Sequence, residues 1–512
     1  MDTVSGVWFG QRFFKLEALQ ARAAGIAEGL KAFGVQAGDV ISVYARNSPT
    51  VIEIAMGASQ VGATIAPVNT AWRADEIAYI LADSRAKVLF AQVDLLRDSL
   101  KGVPAGVKVI VCDPLPETVE AYGLKPEALA PLDGYIRYEP WVDACSSVAE
   151  RRPVAPVSNL FYTSGTTGKP KGVVRSPATP EQAAHRMKVL ETCYGITEGV
   201  HSLITTPLYH VFASAHALTT LAKKGTVVLL PHFDAEGLLS AVQTHRVSHL
   251  QLVPTMFVRL LRLSESVRRQ YDVSSLRHVL HTGAPCSPEV KQKMIDWWGP
   301  VIWEQYGSTE SGVCVLCNTE EWLAHPGTVG KPFLGSRVAI YGADGRLLGP
   351  REIGDVYMRM PGSPDFTYLG REEARRAIER DGLITAGDVG YLDEEGYLYL
   401  SDRRADIVIS GGTNIYPAEI ETVLSGMPGV RDSAVIGLPH EEFGEQLAAF
   451  VVTDPDAKLT AEAIQSHVRE RLAGYKVPRQ VTFVDQLPRD DGGKLLRRKV
   501  REQFASTSRA RS

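Results

Sequence analysis

Cysteine is scarce in this 512-residue chain. The six present (Cys112, Cys145, Cys193, Cys286, Cys314 and Cys317) are too few and too scattered for a disulfide framework. A reduced, cytoplasmic setting is therefore expected. Charge of one sign is not in excess either: 55 Lys plus Arg against 59 Asp plus Glu leave a formal net charge of −4. That balance excludes a general nucleic-acid binder and a polybasic membrane-surface protein. Long apolar runs are missing, because the longest uncharged stretch, 200–222, is interrupted by Thr205, Thr206, Pro207, His210 and His216. No membrane span is expected from it. The opening MDTVSGVWFGQRFFKLE lacks a basic patch followed by an apolar segment, so no signal peptide is expected. Hydrophobic residues make up 45% of the chain and charged residues 22%, close to globular averages. The length then calls for more than one domain, at roughly 100–200 residues each.

Hydrophobic periodicity supplies the architecture. Leu16, Leu19, Ala23, Ile26, Ala27 and Leu30 recur at helical spacing until Gly34, and Val40-Ile41-Ser42-Val43-Tyr44 follows as a buried strand. Ser48-Pro49 opens a second helix with a capping residue and a first-turn proline. Strand-like runs recur at 87–91, 107–112, 203–206, 226–230, 249–253, 278–281 and 301–306, mostly with helical patterns between them. Strands alternating with helices predict parallel sheets covered on both faces. After Gly327 the pattern changes to short strands at 337–341 and 355–360, a β-rich subdomain. From Asp402 a strand at 407–410, a helix after Pro417, strands at 433–437 and 448–452 and a helix at 461–472 predict a small α+β domain. The Pro/Asp-rich stretch 113–140 reads as loop, and the basic residues from Lys494 onward as a solvated helix end and tail.

The densest chemical signal is Tyr162-Thr163-Ser164-Gly165-Thr166-Thr167-Gly168-Lys169-Pro170-Lys171-Gly172. Glycines let backbone N–H groups converge on an anion, hydroxyls add donors and lysines add charge, which suits a polyphosphate. It is not a Walker A loop: Gly165 to Gly168 is too short, and Pro170 stands where Ser or Thr is needed. A plain Ser/Thr/Gly surface turn is the weaker alternative.

This loop resembles the signature of the adenylate-forming enzymes, which include acyl-CoA synthetases, peptide-synthetase adenylation domains and luciferases. Further segments resemble that family in the same order: Gly283-Ala284-Pro285, Tyr306-Gly307-Ser308-Thr309-Glu310, Gly387-Asp388, Asp402-Arg403 ahead of Ile407-Val408-Ile409-Ser410-Gly411-Gly412, and Gly492-Gly493-Lys494. The resemblance spans about 10–501. It implies a large N-terminal domain (1–401) of two doubly wound α/β subdomains plus a β-rich subdomain, a hinge (402–405), and a mobile α+β C-terminal domain (406–512). The chemistry implied has two steps. A carboxylate attacks the α-phosphate of ATP, giving an acyl adenylate and pyrophosphate, and a thiol then displaces AMP. The first step brings two anions together, so charge neutralisation and positioning dominate it.

Matched to the family, Lys494 is the catalytic cation, Thr309 contacts the α-phosphate and Glu310 helps hold Mg²⁺. Alone, Lys494 would read as a solvated charge and Glu310 as a loop carboxylate. The resemblance places Thr163, Ser164, Gly165, Thr166, Thr167, Gly168, Lys169 and Lys171 on the phosphates. It assigns Gly283, Ala284, Pro285, Glu304, Tyr306 and Gly307 to the nucleotide, with Tyr306 stacking on adenine. Asp388 would take the ribose hydroxyls and Arg403 the ribose or phosphate. His210, from Pro207-Leu208-Tyr209-His210, is implied beside the substrate carboxylate, with Val211, Phe212, Ala213, Gly283, Gln305, Gly307 and Cys314 lining the acid pocket. Gln305 hints at a polar substituent or a shallow pocket. Gly411, Gly412, Asn414 and Lys476 would meet coenzyme A after domain rotation, Lys476 being equally readable as surface charge. Ala405 departs from the Asp or Lys common at the pivot.

The resulting expectation is an AMP-forming carboxylic acid:CoA ligase using ATP, Mg²⁺ and coenzyme A, its acid aromatic or short to medium in chain. A second copy in a homodimer is a further candidate partner. The stretch after His210 has no aspartate to hold an ammonium, which disfavours an amino acid. The alternative is an adenylating enzyme that loads a separate carrier protein or oxidises its adenylate. A non-catalytic nucleotide-binding scaffold is a third reading, disfavoured because Lys494, Asp388 and Glu310 are all present. Cys314-Val315-Leu316-Cys317 has zinc-knuckle spacing but no second pair. Asp98-Ser99-Leu100 is similar to a phosphopantetheine attachment triplet but lies in a helical stretch with no carrier domain around it.

Overall fold

The computed structural model describes residues 4–146, 157–163, 170–404, 406–410, 413–440, 443–490 and 493–509. The chain forms two compact units, one of 1–252, 262–280 and 362–377, the other of 253–261, 281–361 and 378–512.

In the first unit, Ile136–Arg137, Lys108–Cys112, Val88–Gln92, Val40–Tyr44, Thr64–Pro67 and Ser158–Asn159 lie side by side in one sheet with every neighbouring pair parallel. Alternation along Val40–Tyr44 sends Ile41 and Val43 into one core layer and Tyr44 into the other. Helix Leu16–Ala32 supplies Ile26 and Leu30 to the first layer, and helix Ala74–Ser84 supplies Ile77, Ile80 and Leu81 to the second. Both faces are covered, as an all-parallel sheet requires. Elsewhere in this unit Gly6–Phe9, Thr226–Leu229, His201–Ile204 and His249–Leu252 pair in parallel, and Arg12–Lys15 runs antiparallel at the edge. Phe161–Thr163, Lys171–Arg175 and Phe366–Tyr368 form a small antiparallel sheet.

The second unit is mostly antiparallel. Ile302–Ser308 and Gly312–Cys317 make a hairpin. Arg337–Tyr341, Gly354–Arg359, Leu383–Leu392, Glu379–Arg380 and Leu398–Arg403 form a five-stranded sheet. Val408–Ser410, Thr413–Ile415, Val430–His440, Gly444–Thr453 and Gln480–Phe483 form another. Helices Pro417–Ser425 and Ala461–Arg469 bury Ile420, Leu424, Ile464 and Val468 against Val435, Leu447, Ala449 and Val451 of that last sheet.

The α/β class, the β-rich segment and the α+β end agree with the sequence reading. One expectation is corrected: 113–140 is not loop throughout, because helices Pro116–Tyr122 and Pro126–Leu129 lie in it and helix Tyr138–Ser146 begins there. Proline at the first turn starts the first two, and Gly123 at φ 58° ends the first, so residues scored as breakers were helix punctuation. Strands Gly6–Phe9 and Arg12–Lys15 were not anticipated. Ser48-Pro49 does start helix Pro49–Val61, although the Ser48 side chain makes no capping bond. Among the described residues, no helix is long and apolar enough to cross a membrane.

Candidate active site

Strand Ile302–Ser308 organises the site in the second unit. Glu304 accepts a hydrogen bond from Lys291 Nζ at 2.7 Å, and both residues are buried. Lys291 shares the buried face of helix Pro288–Trp298 with Met294, Ile295 and Trp298, and Nζ also lies 5.1 Å over the Trp322 ring. His281 Nε2 stands 3.5 Å from the same carboxylate, with its pKa pushed down to about 4 by burial, so it is neutral. Glu304, assigned to the nucleotide by resemblance, is thus anchored from behind by a charge partner. Gln305 is buried and its Oε1 has no hydrogen-bond partner among the described residues, while its backbone oxygen accepts from Thr282 Oγ1 at 3.0 Å.

The next residues turn sharply. A bulge falls between Tyr306 and Gly307, and a Cβ added to Gly307 would collide with the Gly312 carbonyl oxygen. Only glycine allows that approach. Ser308 N donates to Ser311 Oγ at 3.1 Å and Ser311 N to Ser308 Oγ at 3.0 Å, which fixes the turn carrying Thr309 and Glu310. Cys314 is buried beside it, its thiol 3.6 Å from the Ser311 carbonyl, and Cys317 donates to the Asn318 carbonyl. Among the described residues, no cluster of three metal-ligating side chains includes them.

Tyr306 donates from its hydroxyl to Asp388 Oδ2 at 2.6 Å, and Arg403 Nε lies 3.1 Å from Asp388 Oδ1. Asp388 and Arg403 are cross-strand partners, so the pairing follows from sheet register. Burial, and then the charge of Asp388, hold the Tyr306 phenol well above its ordinary value, so it stays a neutral donor. Gly283 sits at φ 88° with the nearest atom to an added Cβ, Val253 Cγ1, 3.7 Å away. The backbone angle, rather than crowding, calls for glycine there.

Lys494 closes the constellation. Its backbone N–H donates to Asp490 Oδ1 at 2.8 Å, Asp490 N to its carbonyl at 2.9 Å, and Gly493 N to the Asp490 carbonyl at 2.8 Å. Gly493 adopts φ 78°, and a Cβ there would overlap Thr255 Oγ1. Burial lowers the Lys494 pKa, as does the positive Arg403, against the opposing pull of Asp490, Asp388 and Asp406. Asp388, Arg403 and Lys494 therefore share one electrostatic neighbourhood, although Asp388 and Lys494 lie more than a hundred residues apart in sequence.

Other predicted residues are placed elsewhere. In the first unit His210 precedes helix Val211–Ala222 and stacks on Phe212 with ring centroids 5.7 Å apart, Ala213 is fully buried, and the Phe212 carbonyl accepts from Tyr194. Lys171 Nζ lies 5.0 Å over the Tyr368 ring. Lys476 in the second unit is held by both Glu419 oxygens, at 2.6 and 2.7 Å. Ser164, Gly165, Thr166, Thr167, Gly168, Lys169, Ala405, Gly411, Gly412 and Gly492 lie outside the described residues, as do the side chains of Thr163 and Asn414. Sequence reasoning missed Lys291 and Asp490. The signals were a lysine at the i, i+3, i+4, i+7 positions of an apolar face, and the turn-forming run Asp490-Asp491-Gly492-Gly493.

Tyr306, Asp388, Arg403 and Lys494 are thus brought together in the second unit. The chain belongs to the AMP-binding enzyme family: the family model matches residues 7–363, and that of the AMP-binding enzyme C-terminal domain matches 419–494. It is 35% identical over 488 residues to a feruloyl-CoA synthase of Amycolatopsis sp, covering 95% of this chain and 93% of that one. It is 32% identical to a long-chain-fatty-acid–CoA ligase of Mycobacterium tuberculosis, covering 97% and 93%. Among solved structures it is similar to ATP-bound MatB from Rhodopseudomonas palustris, with TM-score 0.82, 27% identity and coverage of 98% and 97%. An o-succinylbenzoate CoA synthetase of Bacillus subtilis holding its acyl-adenylate intermediate matches with TM-score 0.79, 27% identity and coverage of 97% and 95%.

Proposed function

We propose that this protein is an AMP-forming carboxylic acid:CoA ligase working in the cytoplasm, its acid aromatic or short to medium in chain. The observation that carries the reading is the convergence of Asp388, Arg403, Tyr306 and Lys494. Asp388, already held by two donors, is oriented to accept ribose hydroxyls. Tyr306 supplies a flat apolar face for the base. Lys494 offers a compact charge to the carboxylate and α-phosphate oxygens as they approach. The Thr309-Glu310 turn fits Mg²⁺, which takes one or two carboxylates with substrate phosphates and waters. When bound, the metal would neutralise phosphate charge, and Glu310 would hold it. A carrier-protein acceptor is less supported, because the relatives that match along nearly the whole chain are CoA ligases by name.

Pyrophosphate and AMP release over aryl, phenylpropenoic, short-, medium-, long-chain and amino acids, with and without coenzyme A, tests this. Coenzyme A-dependent turnover with one acid class is expected. Adenylate without thioester would instead point to a carrier protein, and no ATP chemistry with any acid would overturn the reading.

The lowered Lys494 pKa carries a pH signature. The charged form is needed, and it is lost as pH rises. The kcat/KM of adenylation, which reports the free enzyme, should therefore fall on the alkaline side at a pH below the usual lysine range. A pH profile with its limb at the ordinary lysine value would contradict this.

A further inference from the structure

We propose that Arg489 and Arg497 are positioning residues that fix Lys494 from both sides against one strand of the C-terminal sheet. This rests on reading Lys494 as the adenylation cation. Lysine's four-carbon stem is flexible, so the reach of its ammonium depends on where the backbone holds its base. Arg489 grips Asp432 with a two-pronged pair, Nε to Oδ2 at 2.9 Å and Nη2 to Oδ1 at 2.7 Å. Its remaining nitrogen, Nη1, donates at 2.8 Å to the Gly493 carbonyl, in the peptide immediately before Lys494. Three residues after Lys494, Arg497 repeats the device. Nη1 and Nη2 take the two Glu421 oxygens at 2.6 and 2.8 Å, and Nη1 also donates to the Val435 carbonyl at 2.7 Å.

Asp432 and Val435 belong to the same strand, Val430–His440. Arg489 before Lys494 and Arg497 after it are thus both pinned to one strand, and Asp490 bonds to the Lys494 and Gly493 backbones between the pins. Arg497 Nε lies 3.4 Å from Asp406 as well, which ties the same segment to the start of the C-terminal domain. Both arginines use their planar fork on a carboxylate and spend a further donor on a backbone carbonyl, a combination lysine cannot reproduce. Each acts through the placement of Lys494.

The test uses the full chain with Arg489→Met, Arg489→Lys, Arg497→Met and Asp432→Asn. Asp432→Asn keeps the arginine and guards against a variant that fails to fold. Amide hydrogen exchange, which needs no substrate, should rise in peptides covering 488–497 and stay at wild-type levels in the rest of the C-terminal sheet. With the acid that wild type activates, kcat for acid-dependent ATP–pyrophosphate exchange should drop about a hundredfold, as for a reacting group displaced by an ångström. KM for ATP and thioester formation from synthetic acyl adenylate should hold near wild type, and Arg489→Lys should not restore the loss. Unchanged amide exchange in 488–497 would overturn the proposal. So would exchange rising across the whole sheet with both half-reactions falling together, since that marks a merely structural role. A wild type inactive with every acid would sink the ligase reading, while the amide exchange would still decide whether the arginines hold the turn.

Discussion

Lys494→Ala is expected to lower acid-dependent ATP–pyrophosphate exchange about a thousandfold, the scale of removing one preorganised charge donor. Thioester formation from preformed acyl adenylate should be nearly unchanged. The asymmetry follows from where charge develops: two anions meet only in the first half-reaction. Among the described residues, the hydrogen bonds that close its turn run between the Lys494 backbone and Asp490 and do not use the side-chain ammonium. The thermal midpoint should therefore stay close to that of wild type. An equal loss in both half-reactions would assign the residue to structure and leave the first step without its cation.

Gly307→Ala should act in the opposite way, through the backbone. The added methyl would meet the Gly312 carbonyl within the hairpin, at the bulge that aims Thr309 and Glu310. Overpacking of this kind costs about 1–3 kcal/mol. Displacing the turn by an ångström would take roughly another hundredfold from kcat. Thermal unfolding and steady-state kinetics on the same preparation check both, and a variant with the wild-type midpoint would show that the hairpin absorbs the methyl. Gly307 was read from the sequence as a pocket wall. The structure gives it a steric duty as well.

Much of the fold was legible because its strands carry their signal locally. Val40–Tyr44 is a β-branched-rich run, apolar but for Ser42, between helices, and Pro417 and Gly34 punctuate where a chain must start or stop a helix. The stretch 113–140 was misread because composition does not distinguish a proline that opens a helix from one that breaks it. At the candidate site, Lys494, Asp388 and Arg403 were singled out through ordered motifs, whereas the residues that hold them were not. Arg489 and Asp432 lie 57 positions apart, as do Lys476 and Glu419. Such pairs are decided by strand register and helix docking, and a single sequence gives no local sign of them. Lys291 is the instructive case: its charge suggested solvent, while its spacing with Met294, Ile295 and Trp298 pointed inward, and the spacing was the better guide.

The turn that presents Lys494 is stapled to strand Val430–His440 and closed on itself. The backbone base of its side chain is in effect a fixture on a panel. On the reading of Lys494 as the adenylation cation, a base fixed in this way would be delivered or removed only together with the panel that holds it. The local environment of the reacting phosphate would then change in one step, without passing through half-neutralised arrangements in which an adenylate is neither made nor released.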